Sequence, residues 1–125
     1  MLACGLSDNG ELGKRAREHF EIGFLVALPK CALVETFAAL RKMWLRKSIS
    51  DEIFWRGMIA LQLLQFNEYS TSPLLLRAYE LRHNVGAYDA MYVALAEVLQ
   101  CPLITTDVRL SNAPGVRCEI ELLAA

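Results

Sequence analysis

The sequence lacks the features that mark zinc-binding, secreted or membrane-spanning proteins. Its four cysteines are far apart, form no Cys-x-x-Cys pair and have only His19 and His83 as possible nitrogen partners, which argues against zinc. The start of the chain has no basic segment, apolar run and small-residue cleavage site, so we expect reduced thiols and a cytoplasmic location. No stretch approaches the roughly 20 apolar residues that cross a bilayer, so we expect no membrane association.

The chain also lacks a basic net charge, internal repeats and low-complexity tracts. Its formal net charge is -1, so any contact with nucleic acid must come from a local patch of the surface. With 125 residues, of which 54% are hydrophobic, it can bury one core but is too short for two ordinary domains. We therefore predict one domain over residues 1–125.

Single glycines and prolines divide the chain into segments with alternating helix and strand patterns. The predicted helices cover residues 11–20, 31–47, 51–64, 72–83 and 88–100. The predicted strands cover residues 24–28, 66–69, 103–106 and 116–120, the last at the edge of the sheet. This alternation predicts an α/β three-layer sandwich with a mainly parallel sheet, whose functional edge lies at the carboxyl ends of the strands.

Three acidic residues fall at that predicted edge. Glu35 lies just inside the helix after the first strand, Asp89 at the start of a helix, and Asp107 where a strand ends. Carboxylates gathered without neutralising partners repel one another, so such a cluster usually holds a hard cation such as Mg²⁺ or Mn²⁺. The alternative is that they are ordinary capping or surface acids, and position alone favours this alternative.

Three segments carry more specific patterns: P-K-C-A-L-V-E-T-F-A-A-L-R-K, L-R-H-N-V-G-A-Y-D-A-M-Y-V-A-L-A-E and L-I-T-T-D-V-R-L. In order and spacing they resemble the PIN family, and within it the VapC-type toxin ribonucleases of toxin–antitoxin pairs. The pair Y-D-A-x-Y-V-A-L-A-E and T-T-D-x-R-L is the most specific part. The resemblance implies a PIN-like α/β/α sandwich and a metal-dependent endoribonuclease that acts on tRNA or other structured RNA.

The resemblance also implies roles for individual residues. Glu35, Asp89 and Asp107 match the family residues that bind one or two Mg²⁺ or Mn²⁺ ions, which activate water for attack on an RNA phosphodiester. Thr105 lies two residues before Asp107, so on a strand both side chains point the same way. Thr105 is therefore either a residue that hydrogen-bonds a ligand or water at the site, or a β-branched strand residue with no such role.

Other residues are candidates for contacts with partners. Arg82 and Arg109 lie near the proposed edge and are predicted to contact RNA. Trp44 and Trp55 belong to a set of large apolar residues that exceeds what one buried stripe needs, so they either pack in the core or face a partner. The resemblance implies that this partner is a VapB-like antitoxin, and that the chain forms homodimers.

The start of the chain departs from the family pattern, in which a first hydrophobic strand ends in an Asp that joins the acidic cluster. Here that strand is absent, and Asp8 is a poor substitute. Either the true start lies upstream, or the chain is a catalytically inactive copy that only binds antitoxin or RNA. We favour the first, because residues 11–123 keep the core pattern and three acids. A receiver-type signalling domain would need a lysine after a later strand, and none follows Thr106.

Overall fold

A computed structural model of the chain describes residues 26–64 and 66–123. The predicted helix over 11–20, the beginning of the first predicted strand and Asp8 lie outside these residues. The described helices are α1 (Ala32–Leu45), α2 (Asp51–Leu63), α3 (Leu75–Glu80), α4 (Ala87–Leu99) and α5 (Val108–Ser111), with a 3-10 turn at Ser72–Leu74. The strands are β1 (Ala27–Pro29), β2 (Asn67–Tyr69), β3 (Leu103–Thr105) and β4 (Ile120–Leu122). The predicted alternation of helices and strands is confirmed over this part of the chain.

The described residues form two compact units. The first unit contains Val26 and residues 32–67 and is built from α1 and α2, whereas the second contains residues 27–31 and 68–123. None of the helices within the described ranges is long and apolar enough to cross a bilayer.

In the first unit, α2 begins where the sequence predicts. The Ile53 N–H donates to the Ser50 side-chain oxygen at 3.2 Å, and Ser50 has extended backbone angles, as expected of an N-cap. Against α1, the glycine at position 57 allows close packing, because a Cβ there would lie 3.2 Å from Leu40 Cδ1. Leu40 is fully buried, so little space remains between the two helices at this point.

In the second unit, α4 is the central helix. It buries an unbroken run from Tyr92 to Ala96, so apolar residues cover most of its circumference. A helix that is apolar on all sides is suited to the interior of a domain. Leu74, Ala94 and Leu95 form a core cluster, against which Ala27 of β1 and Tyr69 of β2 pack.

The strands form two hydrogen-bonded pairs, β1 with β2 and β3 with β4. The β3–β4 pair is parallel, with Leu103 opposite Ile120 and Thr105 opposite Leu122. The prediction of a last strand over 116–120 was wrong in its extent, because the strand covers Ile120–Leu122. Instead of pairing with a strand, the Arg117 N–H donates to Glu97 Oε2 of α4 at 2.8 Å.

The predicted helix over 72–83 also differs in the structure. Its first turn is a 3-10 turn with the proline near its start, as expected, but Ser72 is not the cap; Thr71 occupies that position without a side-chain cap bond. The α-helix ends at Glu80, and the chain then turns through residues 81–84. Leu81, which is buried, anchors this turn in the second unit.

A largely buried ion pair connects α3 and α4. Arg77 Nε donates to Glu97 Oε1 at 2.6 Å and Arg77 Nη2 to Glu97 Oε2 at 3.1 Å, which is the two-pronged geometry that suits a guanidinium and a carboxylate. Arg77 Nη2 also donates to the Gly115 carbonyl oxygen at 2.6 Å. These hydrogen bonds hold the pKa of Glu97 below its ordinary value. The pair therefore fastens the segment before β4 to two helices.

Candidate functional site

The second unit contains a cavity of about 330 Å³ in which two of the predicted acids meet. It is lined by Asn84, Val85, Gly86, Asp89, Asp107, Arg109 and Leu110. These residues come from the turn before α4, the first turn of α4 and the segment that follows β3. The predicted meeting of a helix start with the carboxyl end of a strand is therefore observed for Asp89 and Asp107.

Asp89 lies in the first turn of α4, directly after the N-cap Gly86 and two helical residues. The amino-terminal end of a helix carries unpaired N–H groups and a partial positive charge, which favours a carboxylate there. Gly86 has no side chain to act as a cap, so the carboxylate of Asp89 is the acidic group of this helix start.

Asp107 is held by the turn that links β3 to α5. It is the N-cap of α5, and its Oδ1 accepts a hydrogen bond from the Arg109 N–H at 2.8 Å. The Asp107 N–H donates to Thr105 Oγ1 at 3.1 Å. The buried hydroxyl of Thr105 thus orders the backbone that carries Asp107, and its predicted contact with a ligand or water stays a prediction.

The electrostatics of the cavity suit a cation. Burial raises the pKa of Asp89, the negative charge of Asp107 raises it further, and Arg109 opposes this rise. The Arg109 Nε lies 3.7 Å from Asp107 Oδ1, which is longer than a hydrogen bond, so the arginine neutralises the pair only weakly. Two neighbouring carboxylates, of which Asp89 is half buried and has a raised pKa, are a donor set that a hard cation can stabilise.

Glu35, the third predicted ligand, lies in the first turn of α1 in the first unit, and its Oε2 is buried. Among residues 26–64 and 66–123, no three His, Cys, Asp or Glu side chains form a group that could hold a metal ion. The pair Asp89 and Asp107 is therefore what the structure brings together, and the three-residue ligand set stays a prediction.

Arg82, a predicted RNA contact, is exposed in the turn after α3. Its guanidinium carbon lies over the ring of Tyr79, 3.9 Å from the centroid, and its Nη1 donates to the Tyr79 carbonyl oxygen at 3.0 Å. Sequence reasoning missed Tyr79, although a spacing of three residues at a helix end is the signal for such a contact. It also missed Asn84 as a residue that lines the cavity.

The two predicted partner-binding tryptophans lie in the first unit. Trp55 is 66% exposed, whereas Trp44 is 38% exposed and packs its ring 5.9 Å from that of Phe54. Trp44 Nε1 also donates to Asp51 Oδ1 at 2.5 Å. Other large apolar side chains of α1 and α2 are exposed as well: Val34, Phe37, Leu45, Ile59 and Leu63. A partner surface here stays a prediction that this exposure supports.

Comparison with known proteins supplies the family. The PIN domain matches residues 6–116. The chain is 49% identical over 86 residues to ribonuclease VapC1 of Mycobacterium tuberculosis, a match that covers 68% of this chain and 65% of that protein. It is 40% identical to ribonuclease VapC12 of the same organism, over 73% of this chain and 70% of that protein. It is 36% identical to VapC ribonuclease Mb0985 of Mycobacterium bovis, over 71% of this chain and 70% of that protein.

The chain thus spans just under two thirds of the length of VapC1. The family match includes Asp89 and Asp107, and the expected α/β fold and family resemblance are both confirmed. The chain belongs to the PIN domain family and, within it, to the VapC ribonucleases.

Proposed function

We propose that this chain is a metal-dependent endoribonuclease, the toxin of a VapBC-like toxin–antitoxin pair. The observation that carries the proposal is the cavity where Asp89 and Asp107 meet at the carboxyl end of β3, in a chain whose relatives are named ribonucleases. The proposed substrate is tRNA or another structured RNA, in which water is added across a P–O bond.

The residues present fit Mg²⁺ or Mn²⁺. Such ions prefer oxygen ligands and commonly bind through one or two carboxylates, with water and substrate phosphate oxygens completing the shell. Asp89 and Asp107 are the proposed carboxylates in the cavity, and Glu35 is proposed as a third. When bound, the ion supplies Lewis-acid charge and a water of lowered pKa.

The other residues of the site are proposed to position substrate and ligands. Thr105 holds the backbone of Asp107 through its hydroxyl, so it keeps the Asp107 carboxylate at the cavity. Arg109 lines the cavity and projects a largely exposed guanidinium, which suits contact with an RNA phosphate. Without a cation and Arg109, the two carboxylates would repel the RNA backbone.

The proposed protein partner is a VapB-like antitoxin that covers the exposed apolar side chains of α1 and α2, with Trp44 and Trp55 among its contacts. Exposed apolar patches of this kind are frequent at protein–protein interfaces. A homodimer is also proposed on the strength of the family resemblance.

A second candidate is a catalytically inactive PIN module that binds antitoxin or RNA without cleaving it. One observation favours it: within the described ranges, no three potential ligands form a group around a metal position. The two candidates differ in whether RNA is hydrolysed, so one set of variants separates them.

The test compares Asp89→Asn and Asp107→Asn with Glu68→Gln, an exposed acid outside the cavity. Calorimetric titration with Mn²⁺ should show affinity at least about 10-fold weaker in the first two, since even residues that only support a metal ligand have effects of this size. The rate at which a labelled structured RNA is cleaved in Mg²⁺ should fall in the same two variants. Glu68→Gln should bind Mn²⁺ and cleave RNA as the wild type does. Unchanged Mn²⁺ affinity in both cavity variants would exclude Asp89 and Asp107 from the metal site. A wild-type protein that binds Mn²⁺ but does not cleave the RNA would favour the inactive module.

A further inference from the structure

Arg82 is a predicted RNA contact, but the exposed pair that it forms with Tyr79, close in sequence to Asn84 of the acidic cavity, has no role in the metal chemistry described so far. We propose that the Arg82 guanidinium, held over the Tyr79 ring, is a stacking platform for an unpaired nucleobase of the RNA that enters the cavity. This inference rests on the proposed ribonuclease function and adds a determinant of substrate choice to it.

The first argument is that Arg82 is held in place before any ligand binds. Its guanidinium lies 3.9 Å from the centroid of the Tyr79 ring, and its Nη1 is fixed by a hydrogen bond of 3.0 Å to the Tyr79 carbonyl oxygen. A long arginine side chain otherwise loses considerable rotamer freedom on binding. Because this freedom is already restricted, ordering Arg82 against a base costs less.

The second argument is the position of the pair. Tyr79 is 62% exposed although it belongs to the last turn of α3, and Arg82 is exposed in the turn that follows. The buried Leu81 between them fixes that turn. Asn84, which lines the cavity, comes only two residues after Arg82, so their Cα atoms are at most about 7 Å apart. A nucleotide next to a phosphate in the cavity can therefore reach the pair.

The third argument is chemical complementarity. Proteins that recognise single-stranded RNA stack bases on aromatic rings and on arginine planes, and this contact tolerates any base because every base has a π-face. A base within a duplex is already stacked on both sides and offers no free face. The platform would therefore select unpaired nucleotides, such as those in loops of structured RNA, without selecting one base.

Charge alone gives a different expectation, which makes the proposal testable. Arg82 would also attract RNA phosphates as a simple cation, and a lysine would then serve equally well. A lysine ammonium keeps the charge but has no plane on which a base can stack. Arg82→Lys therefore separates stacking from simple attraction.

The experiment measures fluorescence anisotropy of two labelled RNAs in EDTA, a hairpin with an unpaired loop and a blunt duplex with the sequence of its stem. Arg82→Ala, Arg82→Lys and Tyr79→Ala should each weaken hairpin binding by about 10-fold, with little change for the duplex. Tyr79→Phe keeps the ring and should bind as wild type. The matched control is Arg56→Ala, which removes the positive charge of an exposed arginine of α2 that is paired with Glu52. This variant should bind both RNAs as the wild type does.

Wild-type hairpin affinity in Arg82→Lys, equal losses for hairpin and duplex, or no hairpin binding by the wild type would each overturn the proposal. Steady-state cleavage in Mg²⁺ separates it from the proposed function. A raised KM with unchanged kcat in Arg82→Ala supports the platform. Cleavage by Arg82→Ala with an unchanged KM refutes the platform and leaves the proposed ribonuclease function supported. Hairpin-specific binding losses in a protein that never cleaves RNA support the platform and refute the ribonuclease.

Discussion

Breaking the ion pair between Arg77 and Glu97 should lower the free energy of unfolding far more than breaking an exposed pair with the same nitrogen–oxygen distance. Glu97 accepts two hydrogen bonds from Arg77 and one from the Arg117 N–H, and the side chains of Arg77 and Glu97 are only 17% and 13% exposed. Removing one partner leaves a largely buried charge without its counter-charge. We expect Glu97→Gln and Arg77→Met each to lower the free energy of unfolding by about 2 to 3 kcal/mol.

The matched control is the pair of Arg56 and Glu52 in α2, whose nitrogen–oxygen distance is also 2.6 Å. Its side chains are 74% and 70% exposed, so water screens the charges and hydrates each partner when the other is removed. Glu52→Gln or Arg56→Met should therefore cost at most about 0.5 kcal/mol.

Urea denaturation followed by far-UV circular dichroism measures both pairs. The double variant Arg77→Met with Glu97→Gln should lose less than the sum of the single variants, by about 1 kcal/mol or more, because the two residues interact directly. Equal losses at the buried and the exposed pair would refute the reasoning that burial decides the energy of these contacts.

Two further predictions follow from the described contacts. The hydrogen bonds of Arg77 lower the pKa of Glu97, so its ionised form stabilises the fold fully above the ordinary glutamate value of about 4.5, and this contribution is lost as the pH falls through the lowered pKa. In urea denaturation at several pH values, the difference in free energy of unfolding between wild type and Glu97→Gln should become smaller as the pH falls through the lowered pKa. A difference that stays constant over this range would contradict the prediction. The proposed antitoxin is tested by pull-down with the product of any small gene adjacent to this one. Trp44→Ala should weaken its binding about 10-fold or more, whereas Leu76→Ala, which truncates an exposed leucine of the second unit, should not. Equal binding by the two variants would exclude Trp44 from the interface.

Several features that depend on neighbours in sequence were predicted correctly, although the cap at Ser72 was not. The Ser50 cap and the start of α2 follow from a serine before two acids, and α1 and α4 follow from apolar spacing. The extent of β4 was not predictable in this way. Residues 116–119 have the composition of a strand, but the Arg117 backbone binds Glu97, which is twenty residues earlier in the chain. The local sequence pattern does not reveal a hydrogen bond between residues that are so far apart in the chain.

The candidate site shows the same division. Asp89 and Asp107 were placed at one edge because helix starts and strand ends meet there in α/β folds, and family motifs raised that expectation above ordinary surface acids. The pKa shift of Asp89 could not be predicted, because it depends on burial and on the distance to Asp107. Tyr79 was missed because an exposed aromatic residue in a helix is unremarkable until its arginine neighbour is seen over the ring.

The parallel pairing of β3 with β4 has a consequence for synthesis on the ribosome. A parallel ladder needs a crossover, so β3 cannot pair with β4 until the whole segment 106–119 and the strand after it have been made. Asp107 follows β3 within two residues, and its turn is continuous with that strand. During translation the ladder that supports the Asp107 turn therefore forms only after residues 120–122 have been made, and until then β3 cannot hold this turn through its pairing with β4.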